Sequence, residues 1–353
     1  MKNLLTELIN ATLTGKPLEL EGVKEEDWEQ CFETARQQQV LAMTFPTMSA
    51  LPKEQRPGFL QWSKWMAYAQ STTEQSRQKQ EALKKLGAWL AEEGLSTMVI
   101  KGFSVAVHYP NPNLREFSDI DIYSGPNYEA VNNCLTRHGL QLGRPDGHHI
   151  HINVEGVTVE HHFALHNARV RYGKGMEGPV ATLERLAVTG RINTSMPGIA
   201  FPNATFTALF TAWHAHKHFL AEKIELRHLV DWALALRQLT AEEAAVVHET
   251  KDSTPWGRFA DTLTAIALHR LHLPEEWFQQ RELEAASVIC PELEQRVWAD
   301  IMASSRTAHG RTTMHRRLKI ARRMMQNRWK YKEFADMGAG RWVWRQFVGW
   351  CKG

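Results

Sequence analysis

Cysteine is scarce. The chain has four (Cys31, Cys134, Cys290, Cys351), widely scattered and without a CxxC pair. That argues against a zinc ribbon or a disulfide framework and suits a reducing compartment. Long apolar runs are also missing: no stretch approaches the roughly 18 uncharged apolar residues of a spanning helix. The opening MKNLLTELINATL is broken by polar residues every few positions and lacks the apolar centre of a signal peptide. A cytoplasmic protein without a transmembrane segment is the expectation. There is no internal repeat and no low-complexity tract. What remains is ordinary: 353 residues, 43% hydrophobic and 23% charged. Such a composition excludes a disordered or collagen-like chain. The length implies two or three structural units with a large shared capacity for core.

The net charge of +3 hides an asymmetry. Residues 306–352 carry 13 Lys/Arg against 2 Asp/Glu, a local balance of +11, which leaves −8 on the rest. Arg316, Arg317, Lys319, Arg322 and Arg323 fall on a predicted helix. Arg328-Trp-Lys-Tyr-Lys332 and Arg341-Trp-Val-Trp-Arg345 then interleave cations with aromatics. Three readings fit: a terminal helix packed on the acidic body, a segment at an anionic membrane surface, or an RNA-binding element.

The first 95 residues read as helical. Leu4–Leu13, Trp28–Ala42 and Gln70–Gly94 carry helical spacing, Pro46, Pro52 and Pro57 mark breaks, and Gly94 suits a helix stop. The pattern then changes. Thr97–Ile100 is a short apolar run ending at Lys101-Gly102, followed by a helical turn or two over Phe103–Tyr109. Ser118-Asp-Ile-Asp-Ile-Tyr123 alternates as a half-buried strand does. Asn127 caps a predicted helix through His138. His149–Val154 and Val157–Phe163 alternate on either side of Glu155-Gly156 and read as a hairpin, with glycine supplying the positive φ. From about Pro202 the chain is helical again. The expected organisation is a helical region at 1–95, an α/β core at 96–195, a helical domain at 200–328 and a basic aromatic tail at 329–353.

Asp119-Ile120-Asp121 is the sharpest chemical feature. In a strand both carboxylates point to one face and the isoleucine to the other. Like charges at this spacing repel unless a cation lies between them, and hard divalent ions seek carboxylate oxygens and substrate phosphates. Glu160, in the second hairpin strand, offers a third acid. Three acids facing a glycine turn and the start of a short helix suit a two-metal phosphoryl or nucleotidyl transfer site.

The order of Gly turn, short helix, Asp-x-Asp strand and later strand acid resembles the DNA polymerase beta-like nucleotidyltransferase superfamily. More narrowly, Ile100-Lys-Gly-Phe-Ser-Val-Ala-Val-His-Tyr-Pro110, Leu114-Arg115 and Ser118-Asp-Ile-Asp-Ile122 resemble the bacterial family described as uncharacterised nucleotidyltransferases. Val159-Glu-His-His162, His214-Ala-His-Lys-His218 and Leu226-Arg227 with Asp231 match its later blocks. The resemblance covers about residues 75–240. It implies an α+β fold, a small mixed β-sheet core flanked by N-terminal and C-terminal helical regions. It also implies transfer of an NMP from an NTP, ATP among them, to a hydroxyl acceptor.

On that resemblance Asp119, Asp121 and Glu160 are the catalytic and metal-holding acids, with Mg²⁺ or Mn²⁺ as cofactor. Lys101, Gly102, Ser104 and Arg115 bind nucleotide. His162, His214, His218 and Asp231 face substrate or support the site. Read from the residues alone, Lys101 is either a phosphate partner or a solvated lysine, and Arg115 either clamps phosphate or pairs with one of the acids. Arg227 and Asp231 have the spacing of a helix ion pair. The hairpin also holds His148, His149, His151, His161 and His162, but the oxygen donors of the Asp pair favour Mg²⁺ over zinc. Two other classes stay open: an inactive nucleotide- or partner-binding member, and a membrane- or RNA-binding protein that acts through its basic tail.

Overall fold

The computed structural model describes residues 3–18, 20–165, 177–221, 223–303, 322, 326–335 and 340. Four helices come first: α1 (Leu4–Thr14), α2 (Glu25–Gln37), α3 (Leu41–Ala50) and α4 (Phe59–Glu92). The segment read as Trp28–Ala42 is divided at Gln39, whose φ of 55° turns the chain between α2 and α3. Pro46, expected to mark a break, lies inside α3. A proline there removes a backbone donor and costs about 3 kcal/mol. The burial of Leu41, Ala42, Met43 and Met48 on the same helix outweighs that local penalty. α4 stops where the sequence indicates: Gly94 has φ 69° and Leu95 N–H closes the end on the Leu90 carbonyl at 2.8 Å.

The sheet has six strands: β1 (Thr97–Val99), β2 (Ile120–Tyr123), β3 (His149–Val154), β4 (Val157–His162), β5 (Arg191–Asn193) and β6 (Ile199–Pro202). Their order is β3-β4-β2-β1-β6-β5. β2 runs parallel to β4 and β1 parallel to β6, while the other neighbours are antiparallel, so the sheet is mixed. The last two strands are additions that sequence pattern did not single out. The β3–β4 turn holds both Glu155 (φ 53°) and Gly156 (φ 83°) in the left-handed region, not the glycine alone. That is the two-residue geometry that matches strand twist. After β2, a 3-10 turn at Gly125–Asn127 runs into α6 (Tyr128–Arg137), and the Asn127 side chain caps nothing.

One sheet face is apolar. Val99, Ile120, Ile122, Ile150, Ile152, Val154 and Val159 pack under Ala82, Leu83, Leu86 and Leu90 of α4 and Val131, Cys134 and Leu135 of α6. Each leucine so buried contributes about 1.5–3 kcal/mol. The other face looks toward a helical body built from α7 (Glu177–Thr189), α8 (Ala204–Ala221), α9 (Leu226–Leu236), α10 (Ala241–Asp252), α11 (Gly257–His269), α12 (Gln280–Ser287) and α13 (Pro291–Met302). Its core is continuous with that of α1–α3. The fold is α+β, a mixed sheet flanked by helices.

A helix at Arg328–Phe334 joins this core. Tyr331 and Phe334 are buried, and Lys330 is fully buried with its Nζ 2.6 Å from Asp300 Oδ2 and 3.1 Å from the Phe219 carbonyl. The start of the basic aromatic segment is therefore packed on the body. Arg316, Arg317, Lys319, Arg323 and residues 341–353 lie outside the described residues. Among the described residues, no helix is long and apolar enough to cross a membrane.

Candidate active site

Strand periodicity sends Ile120 and Ile122 into the core under α4, and so sends Asp121 to the opposite face. Parallel pairing of β2 with β4 sets Asp121 beside Glu160 and Tyr123 beside His162. Antiparallel pairing of β3 with β4 then adds His151 opposite Glu160 and His149 opposite His162. Three strands thus present two acids and three histidines on one face. Asp121, Glu160, His149 and His162 stand at the wall of a cavity of about 900 Å³ between the sheet and the helices, where Asp119, one residue before β2, joins them.

Asp121 is buried, and its Oδ1 is held by Lys101 Nζ at 2.7 Å and His162 Nε2 at 2.9 Å. Burial alone would push this carboxyl up. Lys101 and the hydrogen bond to His162 outweigh burial and hold it below the usual carboxylate range. Asp119 behaves oppositely: burial, then the charge of Asp121, raise it above the ordinary value. Among the described residues, the Ser118 hydroxyl, at 3.0 Å, is the side chain that hydrogen-bonds to it. Burial and Asp121 push Glu160 up, but the nearby His162, 3.6 Å away, and His149 outweigh them and hold it below its ordinary value. His162 is raised, since Asp121 and Glu160 outweigh its desolvation. The centre is thus an anionic cluster with one strongly compensated acid and one poorly compensated acid.

Asp121, Glu160 and His162 bring donor atoms within 4.8 Å of one another. Asp119 belongs to no such group of three among the described residues. The expected trio of Asp119, Asp121 and Glu160 is therefore supplemented by a histidine, and Asp119 approaches from the side. The donor set remains rich in carboxylate oxygen, which fits a hard divalent cation. The raised Asp119 carboxyl is the anion such a cation would relieve.

The other expected residues separate. Lys101 and Gly102 reach the cavity. Gly102 turns the chain out of β1 at φ 64°, and a Cβ there would meet the Phe117 ring at 3.1 Å. Ser104 does not reach it: the residue is buried, its Oγ has no hydrogen-bond partner among the described residues, and it is not on the cavity wall. The helix that carries it, α5 (Phe103–Ala106), is a single turn, too short for the terminal field expected of it.

Arg115 pairs with neither member of the Asp motif. It makes a two-pronged bond to Asp231 of α9, at 2.8 and 2.7 Å, and Tyr109 donates to the same carboxylate at 2.6 Å. Arg227, the expected helix partner of Asp231, stands at 3.4 Å, a lesser contact. His214 and His218 line the cavity from α8 with ring centroids 4.4 Å apart. Burial, then the charges of Lys101 and Lys217 respectively, hold both far below the normal imidazole range, so they are neutral.

Sequence reasoning passed over Lys217. It shares the cavity-lining face of α8 with His214 and His218, and burial with the nearby Lys101 lowers its ammonium to about 8. The signal was available in the i, i+3, i+4 spacing of 214, 217 and 218. In the sequence, His149 and His151 stand out only through the hairpin's composition. Their meeting with Glu160 needed the strand register.

The family model described as "uncharacterised nucleotidyltransferase" matches residues 24–272. No curated protein matches the chain. Among solved structures it is similar to the antibiotic-resistance factor ANT(2'')-Ia, at 12% identity and a TM-score of 0.34, over 55% of this chain and 99% of that one. The family match spans the whole sheet, the acid cluster and the helices that close the cavity. The chain therefore belongs to the uncharacterised nucleotidyltransferase family and is an enzyme of NMP transfer.

Proposed function

We propose that the cavity binds an NTP and passes its NMP to an acceptor hydroxyl at the Asp119, Asp121 and Glu160 cluster. The register that pairs Asp121 with Glu160 carries this reading, because it gathers acids distant in sequence onto one face beside a cavity. A bound Mg²⁺ or Mn²⁺ supplies charge neutralisation on the triphosphate and alignment of the attacking and leaving oxygens. Asp119, Asp121, Glu160 and His162 would hold it.

The chain's own groups divide the remaining work. Lys101 and Lys217 attract the phosphates. Glu160 orients the acceptor hydroxyl and takes its proton as that oxygen bonds to the α-phosphorus. The bond to the β-phosphate oxygen breaks and pyrophosphate leaves. Asp231 fixes Arg115 and with it the loop that leads into Asp119, a positioning role. The test is incubation with each α-labelled NTP, Mg²⁺ and host extract. Label should pass to an acceptor with wild-type protein and not with Asp121→Asn. Equal labelling by both would overturn the assignment.

A further inference from the structure

We propose that His149, His151 and Glu160 form a second metal position, suited to a zinc-type transition metal, next to the acid cluster. His149 and His151 are two apart on β3 and share a face. Their Nε2 atoms stand 3.6 and 3.3 Å from the same oxygen, Glu160 Oε1, and the three donor atoms lie within 4.8 Å of one another. Tetrahedral zinc with bonds of about 2.0–2.1 Å holds its ligands roughly 3.3–3.4 Å apart. The two histidine-to-carboxylate distances are already near that spacing.

Glu160 turns its two oxygens to different neighbours. Oε1 faces His149 and His151, while Oε2 faces His162 at 3.6 Å, on the Asp121 side. The histidine pair engages Oε1 alone, which leaves Oε2 on the side of the acid cluster. The side chain of His151 is 47% exposed at the sheet edge, which provides an entry path and room for a water as fourth ligand. Imidazole donors favour zinc and its neighbours, whereas Mg²⁺ seeks oxygen. The two positions therefore sort metals by ligand chemistry. The proposal shares Glu160 with the transfer reading but does not depend on transfer occurring.

The experiment is calorimetric titration of Zn²⁺ into the full chain in excess Mg²⁺, paralleled by the visible spectrum of added Co²⁺. We expect one Zn²⁺ equivalent and tetrahedral Co²⁺ bands. His149→Ala and His151→Ala should each weaken Zn²⁺ by about tenfold or more, since even outer-shell losses cost that much. His272→Ala, at an exposed residue outside the cluster, should leave affinity unchanged. His151 is exposed enough that its variant should fold, and metal-free unfolding curves check this. Absence of stoichiometric Zn²⁺ binding in Mg²⁺ would overturn the proposal. So would Zn²⁺ binding that survives both histidine variants. Failure of NMP transfer alone would leave it standing.

Discussion

Asp121 and Glu160 are neighbours across a parallel strand pair although 39 positions separate them in the chain. Around that contact the two aspartates of the motif have opposite electrostatics, and their variants should differ. Asp121→Asn removes a charged acceptor from Lys101 and His162 and should cost about 1.5–3 kcal/mol. Asp119→Asn relieves a poorly compensated anion, so its stability should stay within about 0.5 kcal/mol or rise. Both should abolish transfer. Urea unfolding and labelled-NTP assays separate the two effects, and equal destabilisation by both would contradict the electrostatic account.

Glu160→Gln should lower kcat far more than it raises KM for the nucleotide, because its contribution is to the acceptor and transition state. Steady-state kinetics check this. An effect confined to KM would make Glu160 a nucleotide contact instead.

Lys217 predicts an alkaline limb. With the ammonium lowered to about 8, the cation that attracts phosphate is lost above that pH. kcat/KM for the NTP should then fall by about one decade per pH unit. Lys217→Arg keeps its proton and should remove that limb. Stability moves the other way. From about 8 up to the ordinary 10.5 the unfolded chain holds a proton that the folded chain has released, so this group's contribution to stability rises with pH.

Arg115 and Asp231 are both buried. Asp231→Ala leaves the guanidinium without its counter-ion and should cost about 3–5 kcal/mol in denaturant unfolding. Pairing Arg115→Met with Asp231→Leu should recover much of that loss, because no uncompensated charge then remains. A single-variant cost below about 1 kcal/mol, the surface-pair range, would show that the pair does not anchor the loop.

The helix at Arg328–Phe334 should be needed for folding. Phe334→Ala should cost about 3–5 kcal/mol, since Phe334 packs among Phe219, Phe259 and Trp329. A chain ending at residue 326 should be insoluble or strongly destabilised relative to the full chain. Comparable melting of the two would detach this helix from the core.

The sequence by itself determined whatever has a short period. Alternation put Asp121 opposite Ile120 and Ile122, Gly94 ended α4, and the two runs around Glu155-Gly156 made a hairpin. The motif blocks from Ile100 to Asp231 were enough to indicate the family. Tertiary structure decided the partnerships. Period two states which face a side chain takes but not which strand lies beside it, so the meeting of Asp121, Glu160 and His151 came from register. Arg115 had acids close in sequence, yet its partner is Asp231, brought 116 positions along the chain by the docking of α9. Pro46 stayed in a helix because burial outweighed a local penalty, and Lys330 entered the core because Asp300 and a carbonyl met its charge. In each case a long-range contact, whose energy local pattern does not encode, outweighed the nearest-neighbour preference.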